Sequence, residues 1–270
     1  MKNKRSLVAL KWKPESYNKL SLAQDRAALR ILDILNVRRD VDILDVGCGD
    51  GKISAKLSTL ATDGSVIGLD KSREMINYAI KNYRNEKYSN LHFILQDAQE
   101  MDFQEKFDLV FSSFALQWVY DKNLFFKKVH KALRCNGQMS VVIPLNISAE
   151  LEYATQIITE APEWCYFYKD FHPGWYFVDK YNLLHLVKES CFDITYFNSY
   201  VQEVHFSSLA DFEEYVMLWF PYLFPLNDDL KNVFFSAVLN EYCKILPPKK
   251  DGSVIMKIPI LSFIASKVIL

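Results

Sequence analysis

Four absences narrow the possibilities before any motif is considered. The chain carries almost no net charge, since 32 Lys and Arg stand against 33 Asp and Glu over 270 residues, a formal −1. So weak a field does not draw a protein onto nucleic acid, which binds by phosphate neutralisation, and no nucleic-acid partner is expected. The five cysteines (Cys48, Cys135, Cys165, Cys191, Cys243) form no C-x-x-C pair and no cluster with histidine. An odd, scattered set points to reduced, mostly packing thiols in a cytosol-like compartment, with no metal site expected. Long apolar runs are missing too. Leu7 to Leu10 is too short for the apolar region of a secretory signal, and nothing downstream approaches a membrane span. The expectation is a cytoplasmic protein without a membrane partner. Finally, there is no linker rich in Gly, Ser or Pro, no repeat and no low-complexity tract, so residues 1–270 are expected to form a single domain, either one generous domain or a domain with a sizeable insertion.

What is present is an ordinary globular balance, with 50% apolar, 14% aromatic and 24% charged residues. Up to about Pro144, short β-branched runs alternate with stretches of helical periodicity. The runs are DILDVG (42–47), SVIGLD (65–70), LHFILQD (91–97), FDLVFSS (107–113) and QMSVVIP (138–144). Between them lie KISAKLSTLA (52–61), SREMINYAIKNY (72–83) and NLFFKKVHKAL (123–133), with Ser72 placed as a helix cap and Asn136-Gly137 as the turn into the fifth strand. This alternation predicts βαβ units and a parallel sheet. Beyond Ile147 the texture changes. An aromatic run, EWCYFYKDFHPGWYF (163–177), is followed by helical stretches near 180–190, 208–220 and 227–245. Two further strands are expected at FDITYFNSYV (192–201) and over 253–269, where Pro259 argues for a bulge or an edge position. Together these predict an α/β fold: a Rossmann-like, doubly wound, mostly parallel seven-stranded sheet with an antiparallel C-terminal hairpin and a helical cap.

The segment Asp45-Val46-Gly47-Cys48-Gly49-Asp50-Gly51 follows a buried-looking strand and precedes a helix. Alternate glycines let the backbone turn tightly and approach a ligand with no Cβ in the way. Asp70 lies 19 residues beyond Gly51 at the end of the next strand, where a carboxylate can accept both hydroxyls of a ribose. The glycine spacing is G-x-G-x-G, not the G-x-G-x-x-G of nicotinamide dinucleotide sites.

With an acid two positions before the first glycine, this pattern resembles the first motif of class I methyltransferases, which bind S-adenosyl-L-methionine. A carboxylate at Asp45 would repel phosphate but can help hold a cationic methionyl amine. The resemblance covers about residues 12–145 and is greatest to carboxylate methyltransferases acting on trans-aconitate, on the malonyl carrier of biotin synthesis and on insect juvenile hormone acid. It rests on WKPESYNKLSLAQDRAALRIL (12–32), GLDKSREMINYA (68–79) and SSFALQWVYD (112–121). By that resemblance Tyr17, Asp45, Gly47, Gly49, Gly51, Asp70, Lys71, Met75, Asp97, Ala98 and Ser113 bind the cofactor. Asp97 takes the adenine amino group, Ala98 gives its N–H to the ring, and Tyr17 covers the site. Gln24 and Trp118 are placed as the catalytic pair that holds a substrate carboxylate, on a small molecule or a carrier. Residues 34–145 then form the cofactor-binding core, 1–33 and 147–250 a substrate-side lid and cap, and 253–269 the terminal strand. The segment from 150 to 250 matches no member of the group well enough to transfer a substrate.

Methylation of a carboxylate asks little of the protein. The group is already nucleophilic at neutral pH, so no general base is required, and rate comes from in-line placement and exclusion of water. Each residue also has a plainer role: Asp70 as a helix cap, Trp118 as packing, Gln24 as a surface residue, the aromatic run as a core, and His172 as part of a turn. Cys48, between acidic neighbours, is expected to be packing and not a reactive thiolate. The alternative from another class is a methyltransferase-fold interaction or effector protein that uses its aromatic cap as a docking surface.

Overall fold

In the computed structural model, residues 12–84 and 86–268 are described, and the short apolar run at Leu7 to Leu10 lies outside them. The elements are α1 (Pro14–Leu20), α2 (Leu22–Leu35), β1 (Ile43–Val46), α3 (Lys52–Leu60), β2 (Val66–Asp70), α4 (Arg73–Tyr83), β3 (Leu91–Leu95), β4 (Phe107–Ser113), α5 (Lys122–Ala132), β5 (Leu133–Pro144), α6 (Ala149–Glu160), α7 (Cys165–Tyr168), α8 (Lys180–Glu189), β6 (Phe192–Phe206), α9 (Leu209–Met217), α10 (Asp228–Ile245) and β7 (Val254–Lys267). The chain divides into two units. A sheet unit contains Lys13–Leu145, Tyr176–Val201 and the stretch from Pro259, and a helical unit contains Asn146–Trp175 and Gln202–Ile258.

Among the described residues seven strands form one sheet in the order β3-β2-β1-β4-β5-β7-β6. The first five are mutually parallel, and β7 runs antiparallel to β5 from Gln138↔Ser266 to Pro144↔Ile260. This is the Rossmann-like class that the alternating runs predict. All four residues of β1 are buried, as the centre of a sheet covered on both faces requires. Leu44 and Val46 join a core with Val110, Phe125, Phe126, Val129, Leu183 and Phe263, so α5 and α8 close that face. Successive side chains alternate across a strand, which sends Ile43 and Asp45 to the other face. Helix α2 packs against β4 and β5. Its buried stripe of Ala23, Ala27, Ala28, Ile31 and Leu32 recurs at helical spacing, and the alanines permit a close approach. Burial of Ile31 and Leu32 contributes about 1.5–3 kcal/mol each.

Two local expectations are corrected. Strand β5 begins at Leu133, directly after α5, and not at Gln138. Between its pairs Phe107↔Leu133 and Leu109↔Gln138 the register shifts, so Asn136 (φ 63°) and Gly137 form a bulge inside the strand, not a turn before it. Leu133 is fully buried, and that burial overrides the local turn signal. Strand β7 lies between β5 and β6, so Pro259 is not on an edge. It stands just before the stretch paired with β5, and its carbonyl accepts from the Leu145 N–H at 2.8 Å, an interaction that needs no proline N–H.

In the helical unit α6 packs along α10, burying Leu151, Ala154 and Ile158 with Phe234, Phe235, Val238, Leu239 and Tyr242. The aromatic run packs onto this unit's core from partly exposed positions, with Trp175 buried and Tyr166 85% exposed. Trp164 and Tyr168 each meet Phe234 at 5.1 Å, and Trp175 meets Trp219 and Tyr222 at 6.0 Å. No helix among the described residues is long and apolar enough to cross a membrane.

Candidate functional site

The glycine-rich turn leaves the carboxyl end of β1 and is stitched to β2, with the Gly47 and Cys48 N–H groups both donating to the Leu69 carbonyl at 2.8 and 3.0 Å. Gly47, Gly49 and Gly51 all have positive φ, at 76°, 54° and 83°. Their reasons differ. A Cβ on Gly47 would lie 2.1 Å from that of Ala115, so this glycine lets the loop after β4 close on the turn. A Cβ on Gly51 would strike Ala79 and Phe93 at 2.8 Å. At Gly49 the nearest neighbour would be Cε1 of Tyr17, 4.0 Å away. Gly49 is therefore the open cradle that a side chain would fill, and Tyr17 is the ring above it.

Asp70 ends β2 and is bound by the backbone on both oxygens: Oδ2 accepts from the Gly49 N–H at 3.0 Å and Oδ1 from the Ser72 N–H at 2.8 Å. It thus shapes the turn as well as the start of α4, where the Ser72 hydroxyl caps the Met75 N–H at 3.2 Å. Met75 is buried, and Lys71 is exposed beside Asp70. Asp45 is buried one strand over, accepting from the Ser54 hydroxyl at 2.5 Å. Burial, with Asp70 and Asp50 adding to it, pushes the Asp45 carboxyl up to about 7. Burial likewise raises Asp70 and Asp50. The Cys48 thiol is pushed well above its ordinary value by burial and then by the same three acids, so it is packing, as expected. Three carboxyls in low dielectric disfavour one another's ionisation, and a positive ligand group placed among them relieves that cost. A ligand with a cationic centre and no phosphate fits this turn.

The expected adenine and acceptor residues stand at neighbouring strand ends. The Gln96 N–H donates to the Asp70 carbonyl at 3.0 Å, which seats Asp97 and Ala98 just beyond β3. Asp97 Oδ1 accepts from the Gln99 N–H at 2.8 Å. Ser113 is the last residue of β4, and its buried hydroxyl has no hydrogen-bond partner among the described residues. Phe114 follows with φ 52°, a left-handed conformation that costs a non-glycine residue about 1–2 kcal/mol. That bend turns the chain into the short turn Leu116–Trp118, where Trp118 is partly buried. Gln24 lies on α2 with its Oε1 buried and unpartnered among the described residues. The structure gathers the expected turn residues, Tyr17 included, around the ends of β1 and β2, whereas Gln24 and Trp118 stand on separate elements of the same unit.

Sequence reasoning missed two polar groups. The first joins the N-terminal helices to the turn: Asn18 Nδ2 donates to Asp50 Oδ2 at 2.8 Å, and Lys52 Nζ donates to the Asn18 carbonyl at 2.7 Å and to Asp25 Oδ2 at 2.8 Å. A signal was available, because a lysine at the first position of a helix opposes the helix dipole and must be held by something else. The second group fixes the loop after β4. Gln117 Nε2 donates to the Phe114 carbonyl at 2.6 Å, and the Gln117 carbonyl accepts from the Tyr176 N–H at 2.8 Å. Lys122, 5% exposed, donates to the carbonyls of Val119 at 2.9 Å and Tyr176 at 2.5 Å. Burial pulls its ammonium down to about 8.

Known proteins resemble this chain at the level of family and fold. Residues 38–190 match the family model described as a methyltransferase domain. The chain is 26% identical over 261 residues to the methyltransferase candidate 235L of invertebrate iridescent virus 6, covering 95% of this chain and 94% of that one. It is 30% identical over 135 residues to the trans-aconitate 2-methyltransferase of Deinococcus radiodurans, an alignment spanning 50% of each. Among solved structures, the YcgJ protein of Bacillus subtilis superposes with a TM-score of 0.62 at 12% identity, covering 91% of this chain and all (100%) of that one, a likeness of fold.

Proposed function

The chain belongs to the methyltransferase-domain family, and we propose that this enzyme transfers a methyl group from S-adenosylmethionine to the carboxylate of a small or carrier-bound acid. When bound, the cofactor supplies an electrophilic methyl group on a sulfonium centre. Asp45 and the turn hold its amino-acid end, with Gly49 giving room and Tyr17 covering it. Asp70 accepts from the ribose through the lone pairs left free by the two backbone donors. Asp97 and the Ala98 N–H hold the adenine, Met75 packs against the nucleoside, and Lys71 and Ser113 border the site.

The observation that carries the acceptor class is Gln24. Its carboxamide oxygen is buried without a partner among the described residues, a state that costs about 1–3 kcal/mol. A half turn about the last side-chain bond presents the amide N–H instead, and an anionic oxygen is then bound by a neutral donor. The Trp118 indole N–H is a second neutral donor on the loop after β4. Neutral donors orient a carboxylate without neutralising it, so it keeps the nucleophilicity that the reaction needs. The trans-aconitate relative, named for an acid substrate, supports this choice.

The test has two stages. Titration with S-adenosylhomocysteine should show micromolar binding. Incubation of wild type with S-adenosylmethionine and a panel of carboxylic acids should then yield base-labile methyl esters. Gln24→Ala should raise KM for the best acid by about tenfold, the loss of one hydrogen bond to a charged group, with homocysteine-product affinity unchanged. Methylation of amines or phenols in preference to every acid would overturn the carboxylate reading.

A further inference from the structure

Helix α1 has seven residues and buries only Pro14. A helix that short is not stable by itself in water; it packs on α4, and polar contacts tie it to the turn. Lys52 provides them. Its three ammonium hydrogens face three acceptors at the α1–α2 junction: the Asn18 carbonyl at 2.7 Å, Asp25 Oδ2 at 2.8 Å and the Ser21 hydroxyl at 3.4 Å. The ring closes through Asp50, which accepts from Asn18 Nδ2 at 2.8 Å and from the Lys52 N–H at 3.1 Å. Ser21 is 2% exposed, and the Lys52 and Asp25 side chains are 30% and 18% exposed, so water competes only weakly for these bonds. Tyr17 precedes Asn18 by one residue, and its carbonyl accepts from the Ser21 N–H at 2.9 Å.

We infer that Asn18, Asp25 and Lys52 clamp α1 in place and so hold the Tyr17 ring over Gly49, making Lys52 a positioning residue for cofactor retention although it touches no ligand. The position of Lys52 favours this role over a purely structural one. At the first turn of α3 a cation opposes the helix dipole, so the residue weakens its own helix while fixing another. The clamp spans the two sides of the covered turn: Asp50 belongs to the turn, and Asn18 and Asp25 belong to the two helices that cover it.

This inference rests on the cofactor site of the preceding reading, and its test separates the two. Dissociation of S-adenosylhomocysteine is followed by surface plasmon resonance, and amide hydrogen exchange is followed in the ligand-free chain. Lys52→Met and Asn18→Leu should each accelerate dissociation about tenfold and speed exchange of the Tyr17 and Ser21 amides, while β1 and β4 amides keep wild-type protection. Lys52→Arg, which keeps the charge and the donors, should restore most of the retention. Faster exchange with unchanged dissociation would overturn the inference, as would unchanged exchange in both variants. A wild type that does not bind S-adenosylhomocysteine at all would remove the cofactor reading itself and the inference with it.

Discussion

Replacing Asp45 by asparagine should stabilise the ligand-free protein while weakening its grip on the cofactor. The carboxyl is held up to about 7 from an ordinary 3.8 by burial, with Asp70 and Asp50 adding to it. Between those two values the folded state keeps a proton that the unfolded state has released. Folded protein therefore binds more protons, and stability falls as pH rises through this window. Three pH units at about 1.4 kcal/mol each amount to about 4 kcal/mol, fully lost above pH 7. Asparagine is neutral throughout and still accepts from the Ser54 hydroxyl, the 2.5 Å bond that the aspartate makes. The difference in unfolding free energy between Asp45→Asn and wild type should thus grow from pH 4 to pH 7 and then level off. Urea denaturation of both proteins at pH 4, 5, 6, 7 and 8 gives this difference, and titrating groups that do not interact with Asp45 cancel. Affinity for S-adenosylhomocysteine at pH 8 should fall about tenfold or more in the same variant, because the charge facing the ligand amine is gone. A difference that stays flat with pH would refute the argument that Asp45 is ionised at a cost in the folded chain.

Two further outcomes test the packing of the same unit. Gly47→Ala should destabilise by about 2–4 kcal/mol in thermal or urea unfolding, since its Cβ meets Ala115 at 2.1 Å in a left-handed conformation. Gly49→Ala, with 4.0 Å of room, should cost only about 1–2 kcal/mol of stability yet reduce S-adenosylhomocysteine binding more than its neighbour does, as calorimetry would show. For Lys122, burial lowers the ammonium from 10.5 to about 8, so the unfolded state binds more protons between those values and wild-type stability gains from this group as pH rises through that window. Lys122→Met should lack that gain, about 3 kcal/mol in all, in urea unfolding compared from pH 7.5 to 10.5.

The sheet was legible because its signals are local. Val, Ile and Leu runs of fully buried strands, helical stripes such as Met75-Ile76-Ala79, and the cap at Ser72 each declare one element, and the alternation of elements declares their order. What could not be read depended on distant burial. Asn136-Gly137 looks like a turn on any local ground, but Leu133 pairs with Phe107 and is buried, and the turn signal becomes a bulge. The site divides in the same way. Asp70 was legible as an acid at a set distance from Gly51, while its two backbone donors, Gly49 and Ser72, follow only from how β2 meets the turn. Asn18, Lys52 and Gln117 carry no motif at all. Each matters through a partner that sequence distance hides: Asp50 lies 32 residues from Asn18, and Asp25 lies 27 from Lys52.

The places where local rules are broken coincide with the proposed site. A carboxylate is buried on an interior strand at Asp45, a lysine opens a helix at Lys52, and a phenylalanine takes a left-handed backbone at Phe114. Each is unfavourable by itself, and each is tolerated because something beyond its own element compensates. For Lys52 the compensation is within the chain, in the junction of α1 and α2. For Phe114 it is the N–H bond to the Val142 carbonyl at 2.9 Å and the Gln117 amide on its own carbonyl. Among the described residues Asp45 accepts from the Ser54 hydroxyl alone, and one neutral hydrogen bond does not offset a buried charge. In the ligand-free chain the compensation is a retained proton, which burial holds on the carboxyl up to about pH 7, and a ligand with a positive charge would take that proton's place. That asymmetry, two violations settled by hydrogen bonds and one by a proton that a cation can replace, is the ground on which we propose the cofactor's cationic end at Asp45 rather than elsewhere along the turn.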